Sequence, residues 1–130
     1  MGTRYIEFAG YVNCIELSNG HTTAVVGPHC GGRVLSYALR GREALMLDPA
    51  HDGYTWQPGG PGPTLLCPSG GRFDIGPEQI IPPRPELWLG AWAAEVTGPL
   101  SVVLTSETSP STGVQLRREF SLQASGTRLT

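Results

Sequence analysis

The chain has 130 residues, 39% of them hydrophobic, which suffices for one domain with its own core and argues against a disordered segment. Its 18 glycines and 12 prolines break it into short pieces, a composition that favours β-architecture over long helices. All nine basic residues are arginine, and the net charge of −2 gives no electrostatic basis for binding nucleic acid or an anionic membrane.

The opening residues Met1 to Glu7 lack the apolar core of a signal peptide, and no apolar run is long enough to cross a bilayer. A cytoplasmic protein is therefore expected. Cys14, Cys30 and Cys67 are widely spaced, without a zinc-ligand pattern, and are expected as buried thiols. No metal or cofactor is expected.

Taken in chain order, residues 4–8 read as a short first strand and residues 11–17 as a second. Ser18-Asn19-Gly20 is a hairpin turn, and residues 21–26 are the return strand. Gly27-Pro28 ends it. The tripeptide Gly31-Gly32-Arg33 then opens a strand over 34–39, which turns through Arg40-Gly41-Arg42 into a strand over 43–47. Residues 48–89 are irregular, dense in Gly and Pro yet carrying His51, Tyr54, Trp56, Phe73 and Trp88, and such a segment is usually functional. A helical turn is expected near 86–90. Strands resume over 91–96 and 100–106.

The strand over 114–123 has the cleanest alternation. One face carries Val114, Leu116, Arg118, Phe120 and Leu122, and the other is polar. Ala124-Ser125-Gly126 turns the chain, and residues 127–130 begin a further strand. A sheet interrupted there presents an unpaired edge, so the chain is expected to be incomplete at its C-terminal side or to finish its sheet with a partner, for example as a homo-oligomer.

Several side chains invite a functional reading, each with a structural alternative. Arg33 either faces a ligand cleft or pairs with a carboxylate at the sheet edge. Arg72, from the second Gly-Gly-Arg, sits near Asp74, Glu78 and Gln79. They either offer hydrogen bonds to sugar hydroxyls or clamp the loop. Trp56, Trp88 and Trp92 could stack on a pyranose or cap the core, and for Trp92 the core is favoured. Arg118 breaks an apolar face, which suits a cleft-lining arginine unless a β-bulge turns it outward. His21, His29 and His51 have no partner at metal or triad spacing, and His29 is expected on a surface turn.

The sequence Val25-Val26-Gly27-Pro28-His29-Cys30-Gly31-Gly32-Arg33-Val34-Leu35-Ser36-Tyr37, followed by Gly41, Leu45-Met46-Leu47, the Pro/Gly-rich segment and Arg118-Glu119-Phe120-Ser121-Leu122, resembles the N-terminal half of the galactose mutarotase-like superfamily, the aldose 1-epimerase relatives. The middle segment from Gly70 to Trp92 looks most like bacterial members of it. The resemblance covers most of the chain through short motifs. It implies an all-β antiparallel sandwich, the mutarotase-like supersandwich, with the 130 residues forming part of one domain. It also implies a sugar or sugar phosphate held in a cleft on one sheet. In that superfamily a histidine of a His-Gly pair acts in catalysis. The matching place here reads Leu89-Gly90, and the second histidine and the glutamate would fall beyond Thr130. No catalytic residue is therefore assigned. The expected function is carbohydrate binding through Arg72, Glu78, Trp88, Arg118 and Arg33. Sugar mutarotation by a longer or oligomeric form, and a sheet-completing interaction module, are the alternatives.

Overall fold

A computed structural model describes residues 1–58 and 71–130; Cys67 and Gly70 lie outside the described residues. The chain is nearly all β, with strands in two antiparallel sheets and almost no helix. Strands β1 (Gly2–Phe8), β2 (Tyr11–Ser18), β3 (Thr22–Gly27), β4 (Arg33–Leu39) and β5 (Arg42–Glu43) form a five-stranded meander in sequence order. Strands β6 (Ala93–Gly98), β7 (Ser101–Thr105) and β8 (Arg117–Ser121) form a three-stranded sheet. Among the described residues between them lie a 3-10 turn, Pro49–His51, and a four-residue helix, α1 (Pro85–Trp88).

The two sheets pack in a sandwich-like arrangement. Ile15, Leu17 and Val26 of the large sheet meet Val102, Leu104, Phe120 and Leu122 of the small one, with Trp92 at the same core. Strand alternation sends Cys14, Val25 and Leu35 to the opposite face of the large sheet, where they pack with Tyr11. That second face is tied to the irregular segment: Tyr11 Oη donates to the Tyr54 carbonyl at 2.5 Å, and Gly53 N–H donates to Ala9 O at 2.8 Å. Burial pushes the Cys14 thiol up to about 11, so it packs as a small apolar group.

The Asn-Gly hairpin signal has a further use. Asn19 is buried; its Oδ1 accepts from the N–H of His21 and Thr22, and its Nδ2 donates to the carbonyls of Gln123 and Gly126 at 2.8 Å. One side chain thus closes its own turn and holds the 123–126 turn of the other sheet. Residues 127–130 fold back on β8: Thr130 and Ser121 exchange two backbone hydrogen bonds of 2.9 Å, and Leu122 bridges Leu129.

Three strands differ from expectation. The strand expected over 43–47 stops at Glu43, because the Glu43 carboxylate accepts from the N–H groups of Tyr37 and Leu45 and from Ser36 Oγ, displacing ladder bonds. The strand expected from 91 begins at Ala93, since Trp92 N–H donates to Pro28 O at 2.6 Å instead of joining the sheet. The strand expected from 114 begins at Arg117, because the Ser106 hydroxyl takes the Leu116 N–H at 2.8 Å. Side-chain alternation still runs through 114–122, with Phe120 and Leu122 buried and the intervening residues exposed.

Candidate functional site

The first Gly-Gly-Arg docks the β3–β4 turn onto the segment around α1. Gly31 N–H donates to Gly90 O at 2.8 Å, and Gly31 has φ +72°. A Cβ there would lie 2.1 Å from the Trp88 carbonyl oxygen, so both the left-handed backbone and the close approach require glycine. Arg33, expected as a ligand contact, is wholly buried. Its Nε donates to Cys30 O at 2.9 Å, Nη1 to Gly71 O at 2.5 Å and Nη2 to Trp88 O at 2.8 Å. It fastens three chain segments together and presents no surface to a ligand, which corrects the binding role expected for it.

Above this tie lies a clamp of charges. Arg72 donates through Nε and Nη2 to Asp74 Oδ2, at 3.0 and 2.5 Å, and through Nη1 to Glu78 Oε1 at 3.1 Å. Its guanidinium stacks 4.1 Å over the Trp88 ring. Burial lowers its pKa, but the hydrogen bonds and charges of Asp74 and Glu78 outweigh this and hold it above its ordinary value. Buried Arg84 grips the same Asp74, with Nε 3.1 Å from Oδ1, and reaches Ile75 O at 2.6 Å. The structure thus brings Arg72, Glu78 and Trp88 together, with the Arg72 guanidinium engaged by Asp74, Glu78 and the Trp88 ring. Trp92 is a core residue whose indole N–H donates to Leu87 O at 3.0 Å.

Arg118 keeps the inward side of β8, since the β7–β8 register runs without a shift. Its Nη1 donates to Gly32 O at 2.8 Å, and its guanidinium lies 4.5 Å from the Phe73 ring and 4.7 Å from the Phe120 ring. Burial lowers its pKa, and the nearby Arg33 charge adds to the effect.

A cleft opens on the other side of the docked turn. It encloses about 330 Å³, and its walls include His29, Trp56, Gln57, Glu86, Gly90 and Glu107. His29 is fixed by stacking on Tyr11, with ring centroids 4.9 Å apart and planes 18° from parallel. Its Nδ1 is buried with no hydrogen-bond partner among the described residues. Burial pushes the imidazole pKa below the ordinary 6.5, against a weaker upward pull from the Val12 backbone, so the ring is neutral at neutral pH. Glu86 is oriented by a short hydrogen bond that its Oε1 accepts from the Ser109 hydroxyl, and Ser109 is wholly buried. The arrangement offers a flat indole, an amide, two carboxylates and a neutral imidazole around one space.

Sequence reasoning placed His29 on a surface turn and did not single out Gln57, Glu86 or Glu107. The available signal was the glycine pair directly after His29-Cys30, which forces that turn against Gly90. Leu89, standing where the superfamily resemblance would put a histidine, is buried in the interior, while Gly90 borders the cleft. Among the described residues no group of three His, Cys, Asp or Glu is placed to hold a metal ion, and no helix is long and apolar enough to cross a membrane. No protein-family model, curated protein or solved structure matches this chain.

Proposed function

We propose that this protein binds a carbohydrate in the cleft between the His29 turn and the Glu86–Ala91 segment. The observation that carries the reading is the joint presence of the Trp56 indole with Gln57, Glu86, Glu107 and neutral His29 around one cleft of about 330 Å³. Small-molecule sites have volumes of roughly 300–1,000 Å³ and combine apolar plates with a few placed polar groups. An indole suits the apolar face of a pyranose, and carboxylates accept hydrogen bonds from its hydroxyls. The Gly-Gly-Arg and Arg118-Glu119-Phe120-Ser121-Leu122 motifs support the same reading through their resemblance to sugar-binding mutarotase-like proteins. Calorimetric titration against a panel of hexoses and hexose phosphates tests it. Saturable heat that Trp56→Ala weakens at least about tenfold supports the proposal. Flat titrations with well-folded protein refute it.

A second reading is mutarotation, favoured by one observation: a neutral imidazole and two carboxylates share the cleft. Ring opening moves a proton from the anomeric hydroxyl to the ring oxygen, and a neutral imidazole can accept the first proton and, as the imidazolium so formed, deliver it to the second. Polarimetry on freshly dissolved glucose or galactose decides. A rate above buffer that His29→Gln abolishes supports catalysis, whereas a rate equal to buffer leaves binding alone.

A further inference from the structure

The inward face of β8 carries Phe120 and, beyond the strand, Leu116 and Leu122 in or against the main core, with Arg118 between them. A guanidinium here is half-buried, lies near the cationic Arg33 and belongs to no ion pair among the described residues. An apolar side chain would pack on Phe120 without the desolvation that a charge carries. The rings of Phe73 and Phe120 offset part of that penalty through cation–π contact. They leave the hydrogen-bonding edge unused. Among the described residues only Nη1 has a protein acceptor, Gly32 O, and Nε and Nη2 have none. Those two nitrogens form the fork that takes an oxyanion through two parallel hydrogen bonds. Phe73, 36% exposed, lies beside that fork.

We infer that Arg118 is the anchor of an oxyanion site, for a phosphate or carboxylate group, with Phe73 against the organic part that carries it. Neither Arg118 nor Phe73 lines the cleft of the proposed carbohydrate site, so this site stands or falls separately. By contrast, Arg72 and Arg84 already have Asp74 as their anion.

The test is a titration of the ¹⁵N-labelled full chain with sodium phosphate and, separately, sodium acetate, with ionic strength held constant by chloride. The arginine Nε–Hε signals are followed by NMR. The expected result is a saturable shift of the Arg118 signal with at least one anion, while the Arg84 signal stays fixed. Tighter response to phosphate assigns a phosphate ester, and tighter response to acetate a carboxylate. Arg118→Lys keeps the charge but loses the fork, and is expected to weaken binding at least about tenfold, with its fold checked by circular dichroism. An Arg118 signal that stays still or drifts linearly with both anions overturns the inference and leaves Arg118 as a packing group. Equal affinity of a folded Arg118→Lys also overturns it. If that variant does not fold, the titration of the native chain decides alone.

Discussion

The two Gly-Gly-Arg turns use one tripeptide for opposite purposes. In the first, Gly31 is pressed against the Trp88 carbonyl, and Arg33 is sealed inside, donating to the carbonyls of Cys30, Gly71 and Trp88. In the second, Gly71 has the same left-handed backbone, φ +73°, but nothing within 4 Å of where a Cβ would stand. Its arginine, Arg72, lies at the surface among carboxylates. The contrast shows that a guanidinium after a glycine turn is sealed inside or left at the surface according to what the turn touches. It also shows how the first turn serves a site it does not itself form, because docking it onto Gly90 places His29 in the cleft.

The largest expected effect separates the two arginines. Arg33→Ala removes a buried guanidinium that donates to three carbonyls and is expected to lower stability by about 3–5 kcal/mol. Arg72→Ala is expected to lower it by only about 1 kcal/mol, since the Arg72 and Glu78 side chains are 26% and 67% exposed and Asp74 retains Arg84. Urea denaturation of both variants measures the difference, and equal losses would break the comparison.

The glycines give the next test. Gly31→Ala combines left-handed strain with displacement of the Trp88 backbone and is expected to cost about 2–4 kcal/mol. Gly71→Ala carries the strain alone, about 1–2 kcal/mol. Thermal melts of the pair sharpen the claim that contact, rather than φ, distinguishes the two turns.

The smallest effect concerns pH. His29 has a folded pKa below its ordinary 6.5, so on acidification the unfolded chain takes up its proton before the folded one does. Its contribution to stability is complete above the ordinary pKa and is lost as pH falls from there through the folded value. Melting temperatures taken from about pH 7.5 to about pH 5.5 are expected to fall more in the native chain than in His29→Gln. Parallel curves would contradict the half-buried, neutral imidazole.

The sheets were legible because strand alternation and turn chemistry are local. Asn19-Gly20 marked the first hairpin, and the apolar series from Val114 to Leu122 marked the inward face of β8 even where the ladder itself is missing. What escaped was set by side chains reaching across the fold. Glu43 ends a strand by capturing the Tyr37 and Leu45 N–H groups, and Ser106 does the same to Leu116. Neither exchange leaves a periodic trace. The same holds for the site: the sequence sets Asp74, Glu78 and Gln79 close to Arg72, but no spacing reveals that Asp74 binds two arginines or that Arg72 lies over the Trp88 ring. The cleft joins residues from four separate stretches, at 29, 55–58, 86–91 and 107, so only the folded chain brings them together.

The central claim, a carbohydrate held against Trp56 beside His29, is tested most directly by following the indole N–H signals by NMR during titration with hexoses and hexose phosphates. The account predicts a saturable shift of the Trp56 signal, with the Trp92 indole unmoved because it is bonded to Leu87 O inside the core. A Trp56 signal that stays fixed throughout, or a response confined to Trp88, would contradict it.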